Sequence, residues 1–155
     1  MVSKVLISDD HGIVRQGVRS LLERQEDIKV VAEAEDGFET LLMVRKFKPD
    51  VVVFDVNMPS FNAIEMIQQL LKEFPCVKLV ALSKQIDEIV VNEMFQAGIC
   101  GYIFKDRLFE EIISAIRTVS QGRVYLSPII KGLEVGGYVK HLAEDSNFEN
   151  VVIEK

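Results

Sequence analysis

Residues 51–59 read Val51-Val52-Val53-Phe54-Asp55-Val56-Asn57-Met58-Pro59, four apolar residues running straight into a carboxylate. A run this rich in β-branched and aromatic residues reads as a strand buried on both faces. Asp55 then stands at the edge of a dry core, where charge is costly unless something compensates it. The reading of the chain turns on what faces Asp55.

Outward from this stretch, apolar runs recur about every 25 residues, roughly the length of one strand-helix unit. They are Val5-Leu6-Ile7, Ile28 to Ala32, Val51 to Phe54, Val77 to Leu82 and Tyr102 to Phe104. Amphipathic stretches separate them. Ile13, Val14, Val18, Leu21 and Leu22 are assigned to one face of a first helix, and Phe38, Leu41 and Leu42 to a second. Ile64, Ile67, Leu70, Leu71 and Phe74 make a third, Ile86 to Ala97 a fourth, and Ile112, Ile113, Ile116 and Val119 a fifth. Pro49 and Pro75 precede strands, and Gly98 ends the fourth helix. The expectation is an α/β domain, a doubly wound parallel sheet with helices on both faces.

In such sheets ligands sit beyond the carboxyl ends of the strands. The first strand ends in Asp9-Asp10, the third in Asp55, the fourth in Ser83 and the fifth in Lys105. Three converging carboxylates repel one another and call for a cation; hard oxygen donors with open positions suit Mg²⁺. Lys105 can pair with Asp55 at rest and touch a phosphoryl group. An Asp carboxylate can itself attack phosphorus to give an acyl phosphate, with Mg²⁺ and Lys105 neutralising charge. Taken singly, loop aspartates are usually helix caps, and His11 reads first as part of a helix start.

Composition bounds the rest. The 155 residues are 48% hydrophobic and 27% charged, enough for one globular domain with a proper core. A formal net charge of −6 argues against the chain itself gripping nucleic acid. No segment is apolar enough to span a membrane, and the start shows no secretory signal. Cys76 and Cys100 form no C-x-x-C pair and read as reduced thiols, so a cytoplasmic location is expected. After Gly122 the pattern lapses. Pro128, Gly132, Gly136 and Gly137 weaken any helix through Leu133 to Leu142, and His141 reads as solvated. Residues 123–155 are therefore expected to be a linker, with room for one extra helix, and the chain to be a fragment.

The pattern Asp9-Asp10, Asp55-x-x-Met58-Pro59, Ser83 and Gly101-Tyr102-x-x-Lys105 resembles the receiver domain of bacterial response regulators, over about residues 3–122. Asp9-Asp10-His11-Gly12, Val14-Arg15-Gln16-Gly17, Ala97-Gly98 and Tyr125-Leu126-Ser127-Pro128 narrow it to the NarL/LuxR-type subfamily. The resemblance implies a flavodoxin-like (βα)5 fold of strand order 2-1-3-4-5, with residues 1–122 as receiver. It implies Asp55 as phosphoacceptor, and Asp10, Asp55 and the Asn57 carbonyl as Mg²⁺ ligands, with Asp9 acting through water. Ser83 and Lys105 would bind the phosphoryl group, and Tyr102 would turn inward when Ser83 moves. It also implies a sensor histidine kinase as donor, homodimerisation on phosphorylation, and DNA binding only through a helix-turn-helix output domain that the chain lacks. Such a domain is no enzyme beyond its own phosphotransfer and dephosphorylation.

Three positions depart from the pattern. Ala63 replaces a usual Gly and would cost about 1 kcal/mol if its backbone required a positive φ. Lys84 replaces a small residue after Ser83, and could shield the site mouth or lie in solvent. Asp106 replaces a common Pro. Helix four carries two stripes; Val91, Met94 and Phe95 are assigned to the sheet, which leaves Ile86 and Ile89 outward as a candidate partner face. Competing classes are a flavodoxin-type redox module, a hydrolase using an aspartyl phosphate, and a phosphate-independent receiver serving as an interaction or dimerisation module. Asp9-Asp10 would repel a flavin phosphate, and the first strand lacks the hydrolase D-x-D.

Overall fold

The computed structural model describes residues 1–130 and 151–153. Each apolar run forms a strand and each amphipathic stretch a helix. In chain order they are β1 (Ser3–Ser8), α1 (Gly12–Glu23), β2 (Ile28–Ala34), α2 (Gly37–Phe47), β3 (Val51–Asp55) and α3 (Ala63–Glu73). There follow β4 (Lys78–Ser83), α4 (Glu88–Ala97), β5 (Gly101–Phe104), a 3₁₀ turn (Lys105–Arg107), α5 (Leu108–Ser120), β6 (Val124–Leu126) and β7 (Val151–Ile153). All pairs are parallel, in the order β2-β1-β3-β4-β5-β6-β7. Among the described residues no helix is long and apolar enough to cross a membrane.

Period-two alternation sorts the strands' side chains onto two faces. Leu6, Val52, Phe54, Leu79, Ala81 and Tyr102 pack with α2, α3 and α4. Val5, Ile7, Val51, Val53, Val80, Leu82 and Ile103 pack with α1 and α5. Residues 51–55 are all buried, as the opening run requires. Gly98 closes α4 at φ 121°, a conformation that an L side chain rarely adopts. At Gly17 a Cβ would come within 2.7 Å of the Phe109 ring, so this glycine lets α5 lie against α1.

Two helix-face assignments are corrected. Ile13 is 85% exposed, because its position lies off the stripe that buries Val18 and Leu22. Phe38 and Leu42 are also exposed, since α2 turns Thr40 and Val44 to the sheet. Helix α4 starts at Glu88, capped by the Asp87 side chain accepting from Ile89 N, so Ile86 precedes it in a loop. The feared strain at Ala63 is absent: Ala63 opens α3, and the positive φ of this loop falls on Ser60, at 51°.

The order 2-1-3-4-5 holds, and the sheet continues past β5. Residues 124–126, expected in the linker, form β6, with Val124, Tyr125 and Leu126 all wholly buried. Tyr125 N donates to Cys100 O and Ser127 N to Tyr102 O, both at 2.9 Å. A buried carboxylate fixes the strand: Tyr125 Oη and Ser127 Oγ donate to Glu111 Oε1 at 2.7 and 2.5 Å, while Phe104 N donates to Ser127 Oγ. Residues 151–153 add β7 beyond β6. The helix expected through Leu133 to Leu142, with His141, lies outside the described residues.

A chain ending at Gly122 should therefore be less stable than one ending at Ile130. It exposes the floor under β6 and leaves Glu111 without two donors; each large apolar side chain no longer buried costs about 1.5–3 kcal/mol. Urea unfolding of the two chains checks this. A lower midpoint and an unfolding free energy smaller by several kcal/mol are expected, and equal values would show β6 to be dispensable.

Candidate functional site

Strand register levels the functional groups. Ser8 pairs with Phe54, so Asp9 and Asp55, the residues that follow, emerge side by side from the two strands. Ser83 pairs with Phe104, which sets Lys105 one step beyond it on the neighbouring strand. Four of the residues picked out at the strand ends are thus brought to one edge of the sheet.

The same local device shapes three of these ends. Asp9 Oδ1 accepts from His11 N at 2.8 Å, Asp55 Oδ1 from Asn57 N at 2.9 Å, and Ser83 Oγ from Gln85 N at 3.0 Å. Each is a side chain closing a turn on the amide two residues on. For the carboxylates this uses one oxygen and leaves Oδ2 free to face the pocket. Structural and chemical roles therefore coexist in a single aspartate.

Both free oxygens meet Lys105. Its Nζ lies 2.5 Å from Asp55 Oδ2 and 3.0 Å from Asp9 Oδ2. Asp9 is wholly buried and Asp55 nearly so, at 2% exposure. Burial alone would lower the Lys105 pKa, but the hydrogen bond to Asp55, the close Asp9 carboxylate and the charges of both outweigh it and hold the ammonium above its ordinary value. It stays charged throughout the neutral range. Asp10, part-exposed, points its carboxylate toward the His11 ring, whose Nδ1 is 3.2 Å from Asp10 Oδ1.

Three carboxylates, two of them buried, and one ammonium leave a formal charge of −2 at this edge. Asp9 Oδ2 also lacks any well-aligned hydrogen bond, despite the nearby ammonium. A hard oxygen set with this surplus fits a divalent cation. One donor atom each from Asp9, Asp10, His11 and Asp55 lies within 4.8 Å of the others. Asn57 sits in the turn beyond, tied through its N–H to Asp55.

Tyr102 is already inside. Its ring is wholly buried, and its hydroxyl donates to Gln85 O at 2.9 Å, in the loop that Ser83 holds through Gln85 N. Burial raises its phenol pKa, partly offset by hydrogen bonding with Ser83. Lys84 is exposed at the start of the same loop. Ile86 and Ile89 are 39% and 64% exposed, apart from the carboxylate cluster.

Sequence reasoning missed Arg15, which it used only as a subfamily mark. Its guanidinium donates to the Asp9 carbonyl and to Glu33 Oε1 and Glu35 Oε1, both at 3.2 Å, tying the acidic loop to β2. Glu33 and Glu35, two acids on alternate positions after an apolar run, were the available signal. Ser8 and Thr40, hydrogen-bonded at 2.6 Å under the same loop, carried none.

Comparison with known proteins agrees with this geometry. A sequence profile of the response regulator receiver domain matches residues 5–117, and the chain belongs to that family. It is 34% identical over 142 residues to the transcriptional regulatory protein DegU of Brevibacillus brevis, covering 92% of this chain and 60% of that protein. It is 39% identical over 127 residues to the response regulator GacA of Pseudomonas protegens, covering 82% of this chain and 60% of that protein. A crystal structure of a LuxR-family two-component response regulator from Aurantimonas sp. SI85-9A1 superposes with a TM-score of 0.82 at 30% identity, covering 89% of this chain and 98% of that one. These relatives place the chain in the NarL/LuxR-type subfamily. The chain spans about 60% of the length of the curated relatives it matches. The flavodoxin-type and hydrolase readings fall away with the family match. A receiver domain is a signalling module rather than an enzyme in the ordinary sense.

Replacing Lys105 by Met should expose the charge balance. With no ammonium, breaking the buried pair costs about 3–5 kcal/mol in chelator. Millimolar Mg²⁺ should recover a larger share of stability in the variant than in wild type, because the carboxylates then lack any other counter-charge. Thermal unfolding with and without Mg²⁺ measures both. A deficit unaffected by Mg²⁺ would contradict the charge accounting.

Proposed function

We propose that this receiver domain is a phosphorylation switch with Asp55 as its phosphoacceptor. The observation that carries the reading is the orientation of Asp55 Oδ2, buried at the end of the central strand and turned to the Lys105 ammonium while Oδ1 is occupied in a turn. In the transfer, Asp55 Oδ2 attacks phosphorus. The new O–P bond forms as the bond from phosphorus to the donor's leaving atom breaks, and the leaving group departs with that electron pair. Asp10, Asp55 and the Asn57 carbonyl would hold Mg²⁺, with Asp9 acting through water; bound there, the ion supplies neutralisation of phosphoryl charge.

Lys105 then exchanges a carboxylate oxygen for a phosphoryl oxygen, a contact of the same sign and kind. Ser83 keeps its hydroxyl proton available to a phosphoryl oxygen, since in the described state its Oγ accepts from Gln85 N. Drawing Ser83 inward loosens that hydrogen bond and frees the loop to which Tyr102 is tied. Because Tyr102 is already buried, its part is to stabilise the rearranged loop rather than to enter a vacated space.

The donor is a sensor histidine kinase or a small phosphodonor. In the longer protein the output is transcription regulation through a helix-turn-helix domain, in keeping with the names of relatives such as the transcriptional regulatory protein DegU. Ile86 and Ile89, beside the loop that moves, offer a partner or homodimer face that responds to phosphorylation. A cytoplasmic location suits a kinase partner. The alternative of a phosphate-independent interaction module is not favoured, because the full charged set is assembled at one edge.

Incubation with a small phosphodonor and Mg²⁺, followed by intact mass, tests the reading. Wild type should gain one phosphoryl group, labile to acid and base, and Asp55→Asn should gain none. Full labelling of the Asn variant would sink the assignment. The same assay reads Lys84: if its stem hinders water at the site mouth, Lys84→Ala loses the adduct faster, by about tenfold for a barrier change of roughly 1.4 kcal/mol. An unchanged lifetime would assign Lys84 to solvent.

A further inference from the structure

His11 sits at the acidic loop with its Nδ1 turned over the pocket. Nδ1 lies 2.9 Å from Asp9 Oδ1, 3.2 Å from Asp10 Oδ1 and 3.9 Å from Asp55 Oδ2. It is also 3.3 Å from Lys105 Nζ, the cation that already occupies the pocket. These spacings match a coordination shell. Around an ion with bonds of about 2.1 Å, adjacent donors lie about 3.0 Å apart and opposite donors about 4.2 Å. The whole donor set, within 4.8 Å, needs to contract by only a fraction of an ångström. The buried Asp9 Oδ2 faces the same space; it lies 3.0 Å from the Lys105 ammonium but makes no aligned hydrogen bond to it.

The ring is 59% exposed and makes no capping hydrogen bond, although His11 is the N-cap residue of α1. Its orientation therefore does nothing for the helix. An imidazole adds little for Mg²⁺, which prefers oxygen and retains its waters. It adds much for first-row transition ions, whose affinity for nitrogen rises along the series to copper.

We propose that His11 Nδ1 is a further protein ligand for a transition divalent ion such as Zn²⁺, Ni²⁺ or Co²⁺, bound in the same acidic pocket. The inference rests on the reading of that pocket as a divalent-metal site. An ion held by the imidazole as well as by carboxylates keeps fewer open positions for phosphoryl oxygens than Mg²⁺ does. It acts as a competitor of Mg²⁺ rather than a substitute for it.

The test titrates wild type and H11Q with Zn²⁺ and, separately, with Mg²⁺ by calorimetry, both in an H141A background so that His11 is the sole histidine. Zn²⁺ affinity should fall by at least about tenfold in H11Q, because a ligand is lost where even an outer partner costs that much. Mg²⁺ affinity should stay within about a factor of two, as its shell is all oxygen. In wild-type His11 the imidazole ¹⁵N spectrum should show Nδ1, and not Nε2, shifting as Zn²⁺ binds. Equal Zn²⁺ affinity in the two proteins, or coordination through Nε2, would overturn the inference. So would a parallel loss of Zn²⁺ and Mg²⁺ affinity, which would make His11 a positioning residue for the carboxylates. Failure of the His11-containing protein to bind Mg²⁺ at all would instead overturn the metal-site reading beneath it.

Discussion

Lys105 Nζ holds Asp55 Oδ2 at 2.5 Å and Asp9 Oδ2 at 3.0 Å, and the site depends on this one ammonium. Two carboxylates this deeply buried, side by side, call for a counter-charge. The lysine supplies one from a different strand end, so the pocket exists only when the sheet is assembled in register. Its single charge does not balance three aspartates. That surplus suits the pocket to a divalent ion, and the proximity of ammonium to Asp55 Oδ2 suits it to an incoming phosphoryl group. On the proposed reading, the same imbalance would be the source of affinity for that ion.

The backbone manages the remaining cost. Asp9, Asp55 and Ser83 each close a turn with one oxygen on the amide two residues ahead. These turns orient the side chains with no additional residues, and Arg15 braces the first of them from α1 to β2. In the third, the bonded amide belongs to Gln85, whose carbonyl accepts from Tyr102. Ser83 is thereby linked to a fully buried ring on β5, and Tyr102 O in turn accepts from Ser127 N, just past the end of β6. The hydrogen-bonded links run from Ser83 through Gln85 and Tyr102 to Ser127.

Most of the fold was legible because its signals are local. The run 51–54 announces a doubly buried strand, and period-3.6 stripes such as Ile64, Ile67 and Leu70 announce their helices. The site was legible because strand ends converge by topology, so that Asp9, Asp55, Ser83 and Lys105 could be grouped before any contact was known. What escaped depends on partners distant in sequence. β6 is three residues long, and its assignment rests on Glu111, a carboxylate that reads as a solvated helix residue until Tyr125 and Ser127 are seen to bond it. Ile13 and Phe38 look like core by hydropathy, yet helix rotation against the sheet leaves both exposed. Ala63 looked like a strained replacement of glycine, whereas the loop places its positive φ at Ser60.

The most direct measurement is a crystal structure of the chain with Mg²⁺ and beryllofluoride, a stable stand-in for a phosphoryl group. The account predicts the adduct on Asp55 Oδ2, with Lys105 Nζ and Ser83 Oγ on its fluorines and the ion held by Asp10, Asp55 and the Asn57 carbonyl. An adduct on another carboxylate, or an ion bound away from Asp10 and Asp55 with Lys105 still paired to Asp55, would contradict it.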